Sequence, residues 1–320
     1  PSRSRPARKD VIPRYKTMQG YRVRRRWGWD CHGLPVENLV EKELGLKSKK
    51  DILDYGIENF NDKARALVMR YTHEWKKVVP RLGRFVDMDD DYRTMDASYS
   101  ETTWWIFKQL YDKGLIYEGY KSMHICPRCE TTLSNFEVSQ GYKDVTDISI
   151  TAKFELIDKP GTFVLAWTTT PWTLPGNVAL AINPDIPYVE VEGEVPGNKY
   201  ILAKSRAETV FKNNFKIIKE FKGADLIGQK YKPLFDYYAN DSKLDHRENG
   251  WQIYGAEFVT VEDGTGVVHI APAFGDDDLT LGREKNLPFV QPVAMNGTFK
   301  SEIKDWPGLA VKPIDNPQST

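Results

Sequence analysis

The apolar residues of this chain change period along its length, and that change constrains the fold more than any other feature. Between residues 57 and 79, Phe60, Ala64, Leu67, Tyr71, Trp75 and Val78 recur in steps of three and four. That spacing puts them on one face of a helix. Pro80 is expected to stop this helix, because it has no N–H and its ring collides with the preceding turn. A second helix is expected between a capping box, Ser98 with Glu101, and Gly114, with Thr103, Phe107, Leu110 and Tyr111 turned inward. From about residue 145 the period is that of strands: "GTFVLAWT" (161–168), "YVEVEG" (188–193), "KYILAK" (199–204) and "EFVTVEDGTGVVHIAP" (257–272). The last contains Asp263-Gly264 between two β-branched runs, a hairpin signal. A helix is expected near 204–213.

The 320 residues are 40% hydrophobic, enough for two domains with cores of their own. No apolar run approaches the roughly 20 residues needed to span a bilayer, and no apolar segment follows the basic N-terminal residues as in a secretory signal. With three cysteines and no export signal, a reducing cytoplasm is the simpler setting. Net charge is zero, yet residues 1–26 hold ten Lys/Arg and one acid, Asp10. Such a block attracts phosphates or is simply a solvated end. Residues 1–8, "PSRSRPAR", lack apolar periodicity and read as disordered or foreign to the fold. From Val11 to Val23 the pattern suits a short helix, a turn at Gly20 and a strand.

Four stretches carry residue types suited to chemistry. In "WTTTPWTLPGN" (167–177), Thr168, Thr169 and Thr170 are either strand residues or a hydroxyl cluster. Pro171 keeps the strand from continuing in a central sheet, which leaves the hydroxyls at an exit. In "GWDCHGLPVE" (28–37), Asp30 and His32 lie between Gly28 and Gly33. Glycines allow close approach of a ligand and a carboxylate suits an ammonium group; the alternative is a tight turn around a buried, satisfied His. In "GTGVVHIAPAFGDDD" (264–278), His269 and the aspartates 276–278 suit a metal or a polar pocket wall. Asp276 and Asp277 equally suit a helix N-terminus. Cys126 and Cys129 have the spacing of half a tetrahedral zinc site, or of a reduced half-knuckle, with no second pair following.

In this order and at these separations, "GWDCHGLPVE", "CPRCETTLSNFEV", "WTTTPWTLPGN" and "GTGVVHIAPAFGDDD" resemble class I isoleucyl-tRNA synthetase over residues 9–310. The "GWDCHGLPVE" segment differs in its Cys-His and Pro-Val-Glu parts from the valine and leucine enzymes. The resemblance implies an α/β chain: a partial Rossmann-like class I catalytic domain with an inserted β-rich, β-barrel-like editing domain. The expected division is an N-terminus at 1–8, catalytic domain and Cys-x-x-Cys connector at 9–144, editing domain at 145–310, and a tail at 311–320. By resemblance, Trp29, Asp30, His32 and Gly33 line the synthetic pocket, with Asp30 on the amino group of isoleucine. Thr168, Thr169, Thr170 and Asn177 belong to the editing site, where His269 narrows the pocket and Asp278 receives the substrate ammonium.

The implied reaction is ATP- and Mg-dependent charging of tRNA(Ile) with isoleucine by a cytoplasmic monomer, with hydrolysis of valyl-tRNA(Ile) at the acceptor end. Isoleucine and valine differ by one methylene, worth roughly 1–3 kcal/mol in an apolar pocket, a limit this very family exemplifies along with its double-sieve remedy. The chain also departs from the family. Residues 1–8 do not match the His-x-Gly-His-type ATP motif, "LKSKKD" (46–51) is not the Lys-Met-Ser-Lys-Ser signature, and no second cysteine pair completes a zinc site with Cys126 and Cys129. The chain therefore reads as a fragment that retains the editing site and does not activate isoleucine alone. Two other readings are a non-catalytic fragment that binds the tRNA acceptor end, and a zinc-ribbon module.

Overall fold

The computed structural model describes residues 4–193, 195–212 and 214–312, with side chains from residue 10 onward. The tail beyond residue 312, and residues 1–3 of the N-terminus, lie outside the described residues. The chain divides into two compact units, 1–119 and 120–320.

The first unit opens with helix α1 (Ser4–Met18), which begins inside the segment expected to be disordered or foreign. The strand expected near residue 23 starts later, as β1 (Arg26–Trp29), where parallel pairing with β2 (Asp87–Arg93) becomes available. A parallel pair needs a crossover, and helices α2 (Leu34–Leu44), α3 (Lys49–Tyr55), α4 (Ile57–Arg70) and α5 (Thr72–Arg81) supply it. The single helix expected over 57–79 is thus two. The break falls at Tyr71, where the Thr72 hydroxyl donates to the Met69 carbonyl at 2.9 Å and competes with the helical ladder. Pro80 does not stop α5, which runs one residue past it, with the Leu82 N–H donating to Val78 and Val79.

Helix α6 (Ala97–Asp112) is present, but Asp96 precedes it and the Ser98–Glu101 capping box does not form. Its supposed inner face is exposed, Phe107 by 56% and Tyr111 by 64%, and no α6 side chain is buried.

The second unit holds most of the buried apolar residues. A small hairpin, β3 (Ile125–Cys126) with β4 (Thr131–Thr132), carries the two cysteines, and the short helix α7 (Asn135–Ser139) follows with a capping box of Ser134 and Glu137. Then come β5 (Ile150–Glu155), β6 (Thr162–Thr168), β7 (Ala179–Ile182), β8 (Pro187–Glu192), β9 (Lys199–Ala203), α8 (Ala207–Phe211), β10 (Lys216–Lys222), β11 (Gln252–Gly255), β12 (Val267–Ile270) and α9 (Asp276–Glu284). Five strands form one sheet in the order β10-β8-β9-β6-β5, antiparallel except for β6 with β9. Three form another, β11-β7-β12, with β11 parallel to β7. Between them pack Phe154, Leu156, Val164, Leu180, Ile201 and Ile253, all nearly or wholly shielded from solvent.

Neither sheet closes on itself, so two open sheets stand where a β-barrel-like domain was expected. The Asp263-Gly264 hairpin is also absent. Val267–Ile270 pairs with β7, and residues 257–266 run as a loop whose Val259 packs into the core beside Ile270. A buried partner strand outcompetes the local turn, which is the usual way that tertiary context overrides a short-range signal.

Candidate functional site

Strand β6 ends at Thr168, and Pro171 opens a 3₁₀ turn over Pro171–Gly176. That geometry folds the threonines back on one another. The Thr168 hydroxyl accepts the Thr170 N–H at 3.1 Å and lies 3.3 Å from the Thr170 hydroxyl. Thr173 follows one turn later: its hydroxyl donates to the Thr170 carbonyl at 2.7 Å and lies 2.9 Å from Nε2 of His269. His269 comes from β12, paired opposite Leu180 of β7. The four side chains make a continuous polar row from the end of β6 to β12.

Threonine hydroxyls both donate and accept, so the direction of the row follows from its ends. Thr173 has one proton, and the Thr170 carbonyl takes it. It can then only accept from His269, which assigns the imidazole proton to Nε2. Nδ1 of His269 is buried and has no partner. Burial pushes the imidazole pKa down to about 4, so His269 is neutral at physiological pH.

Asp278 stands in the first turn of α9 and accepts the Ala271 N–H at 3.0 Å. Burial raises its carboxyl to about 6, against the opposing effect of the Ala271 bond and with a smaller push from Asp277. Asp276 and Asp277 are exposed in the same turn, as the helix-dipole reading expects. Thr168, Thr169, Thr170, His269 and Asp278 all line one open cleft of about 340 Å³. Residues of the 257–266 loop line it too, and Arg206 fastens that loop by donating to the carbonyls of Gly264 (2.8 Å) and Glu262 (3.1 Å).

Asn177 is not in the cleft. It is buried, with its amide donating to the Ala179 carbonyl at 2.9 Å and its oxygen accepting from Tyr231 at 2.7 Å. Its role is to hold the end of the 3₁₀ turn to the core. Thr173 and Arg206 escaped the sequence reading. The signal for Thr173 was a hydroxyl three residues after Thr170 across a proline; Arg206 gave none, since its partners are over fifty residues away.

In the first unit, Trp29 and Asp30 line a cavity of about 220 Å³ with Val36, Leu67, Tyr71 and Trp75. Asp30 is the one carboxylate among its mostly apolar lining residues. The Trp29 indole donates to Asp91 at 2.8 Å, which fixes the ring. His32 and Gly33 are not brought to this cavity. His32 is exposed, 3.2 Å from the Thr94 hydroxyl, so it is not the buried, satisfied His of the alternative reading either; Gly33 precedes α2 at a φ of 116°.

Cys126 and Cys129 face one turn, with the Cys129 N–H donating to Cys126 Sγ at 3.4 Å. Among the described residues no group of three or more His, Cys, Asp or Glu is arranged to hold a metal, so the donor set fits neither a tetrahedral zinc nor a metal at His269. Among the described residues no helix is long and apolar enough to cross a membrane.

The chain belongs to the class I tRNA synthetases for isoleucine, leucine, methionine and valine, matched over residues 6–299. Among curated relatives it is similar to isoleucine–tRNA ligase of Treponema denticola, 47% identical over 96% of this chain and 30% of the relative. It is 48% identical to that of Protochlamydia amoebophila, over 96% of this chain and 29% of the relative. With the cytoplasmic isoleucine–tRNA ligase of Saccharomyces cerevisiae it shares 42% identity, again over 96% of this chain and 29% of that protein. The chain thus spans about 30% of the length of the curated relatives it matches. Among solved structures, the editing domain of a P. knowlesi cytosolic leucyl-tRNA synthetase aligns with 46% of this chain and 66% of its own, at 15% identity and a TM-score of 0.34.

Proposed function

We propose that the threonine cleft of the second unit hydrolyses the ester of wrongly charged tRNA, valine on tRNA(Ile), as the editing site of a cytoplasmic, monomeric isoleucine–tRNA ligase. The observation that carries this reading is the convergence of Thr168, Thr169, Thr170, His269 and Asp278 on one cleft. Residues 145–310 form the editing domain in this reading, and residues 9–144 the partial catalytic domain with its connector.

Ester hydrolysis needs an oriented water and donors for the oxyanion that develops on the carbonyl oxygen. The exposed Thr169 hydroxyl can donate to that oxygen, and so can the Thr168 hydroxyl when Thr170 is the donor in their 3.3 Å contact. None of these groups is a strong base. His269 is neutral, with Nε2 bonded to Thr173 and Nδ1 sealed from the cleft, so it shapes the pocket and does not take the proton of the water. A hydroxyl of the terminal tRNA ribose is the nearest remaining candidate. Asp278 meets the free ammonium of the aminoacyl group, which confines the site to esters of unblocked amino acids.

ATP and Mg²⁺ serve ligation in the whole protein. The residues of this chain match neither ATP signature of the family, and no ligation step is assigned to them. Asp30 and the apolar cavity beside it suit the isoleucine that ligation consumes.

The reading is tested by incubating the chain with valyl-tRNA(Ile). Release of valine is expected, with loss of that activity in a Thr169→Ala, Asp278→Ala double variant; equal rates for the two proteins contradict it.

A further inference from the structure

Thr173 is only 4% exposed and is not on the wall of the cleft, yet it touches two groups that are. Its hydroxyl donates to the Thr170 carbonyl at 2.7 Å and sits 2.9 Å from His269 Nε2, ninety-six residues away in sequence. It is the side chain that joins the 3₁₀ turn carrying the threonines to the strand carrying the histidine.

We infer that Thr173 is a positioning residue of the cleft: its hydroxyl holds His269 as the Nε2–H tautomer and fixes Thr170 against β12. The inference rests on the hydrolytic reading of the site. The alternative arrangement reverses the bond, with Thr173 donating to Nε2 and Nδ1 carrying the proton. That would place an N–H donor in the sealed position where His269 Nδ1 has no acceptor, and an unmet buried donor is among the least tolerated features of a folded chain. It would also withdraw the hydroxyl proton from the Thr170 carbonyl and loosen the turn that presents Thr168, Thr169 and Thr170. The single proton of Thr173 thereby couples the tautomer of the histidine to the spacing of the catalytic hydroxyls. Because Thr173 does not reach the cleft surface, its removal disturbs the reacting geometry and leaves binding of the ester largely alone.

The test uses the 320-residue chain, its Thr173→Val variant, which keeps the shape and loses the hydroxyl, and Thr173→Ser, which keeps the hydroxyl. Long-range proton–nitrogen NMR of the His269 ring, assigned with His269→Gln, reads the tautomer. Steady-state hydrolysis of valyl-tRNA(Ile) reads kcat and KM separately. The Nε2–H pattern is expected in the wild-type protein and in T173S, and in T173V it gives way to a mixture with the Nδ1–H form, since neither ring nitrogen then has a partner. With it kcat falls by roughly tenfold in T173V at a KM within about twofold, as misplacement of groups beside the reaction does, and T173S restores most of it. A T173V protein that keeps both the Nε2–H pattern and its kcat overturns the inference, as does a change confined to KM. If the wild-type chain releases no valine, the hydrolytic reading fails by itself, while the ring spectrum still decides the tautomer lock. If T173V does not fold, a wild-type His269 carrying its proton on Nδ1 overturns the inference.

Discussion

Asp278 and His269 are displaced by burial in opposite directions, and that opposition gives the site its pH behaviour. The folded chain holds the Asp278 proton up to about pH 6, whereas an unfolded aspartate releases it near 3.8. More protons are bound folded than unfolded in that window, so this group's contribution to stability falls as pH rises from 3.8 to 6. His269, lowered from 6.5 to about 4, does the reverse, and its contribution is lost as pH falls from 6.5 to 4. Asp278→Asn keeps an acceptor for the Ala271 N–H and removes the buried charge. In denaturant melts its stability advantage over wild type is expected to grow between pH 4 and 6, to about 2 kcal/mol, and then level off. The rate of ester hydrolysis is expected to rise through about pH 6 with ionisation of Asp278, and to show no step near 6.5 from His269. A flat profile in D278N, measured beside it, checks the assignment.

At the residue scale the sequence carried much of the site. His269, Asp278 and the three threonines stood out by residue type, their shared role came from the resemblance to a known family, and all reach one cleft. Asn177 misled because a buried amide looks the same in sequence whether it serves a substrate or the core. Thr173 stayed hidden because its meaning depends on a partner brought near only by folding.

At the scale of elements, the cleft depends on how closely the loop before β12 approaches β9. Gly266 has a φ of 74°, and an added Cβ would collide with Ala203 at the end of β9. Gly266→Ala is therefore expected to lower stability by roughly 2–4 kcal/mol and to displace the cleft wall with it. Gly228 has a similar φ of 83° with open space around it, so Gly228→Ala carries only the conformational penalty of about 1 kcal/mol. Thermal unfolding of the two variants separates close approach from backbone strain; equal losses would contradict the packing argument. The strands themselves were readable, with β6, β8 and β9 close to their expected bounds. The hairpin at Asp263-Gly264 was not, since β12 found its partner in β7 and not across its own turn. Nor was the break at Tyr71, which a side-chain hydroxyl makes within an unbroken apolar period.

At the scale of the molecule the two units differ in how much core they own. The buried apolar residues described in the first are Cys31, Val40, Phe60, Val79 and Met88, while Trp104 and Trp105 of α6 are 74% and 62% exposed. The second buries both faces of β6, β8 and β9, with Val164, Tyr188 and Ile201 in one apolar cluster and Leu165, Val189 and Leu202 in another. Amide hydrogen exchange is expected to be at least roughly a hundredfold slower in β6, β8 and β9 than in α6, since protection follows local burial; equal protection of α6 would show a core that these contacts do not supply. The order of motifs along the chain made the family legible, whereas the parallel pairings of β6 with β9 and β11 with β7 join distant segments and leave no local trace.

The central claim is that the second unit hydrolyses an aminoacyl ester whose free ammonium Asp278 receives. It is tested most directly by comparing hydrolysis of valyl-tRNA(Ile) with that of its N-acetylvalyl counterpart, in the wild-type chain and in D278N. Acetylation is expected to lower kcat/KM by roughly tenfold or more in the wild-type chain, the scale of a lost charged hydrogen bond, and to make little difference in D278N. Equal hydrolysis of the two esters by the wild-type chain would contradict the account.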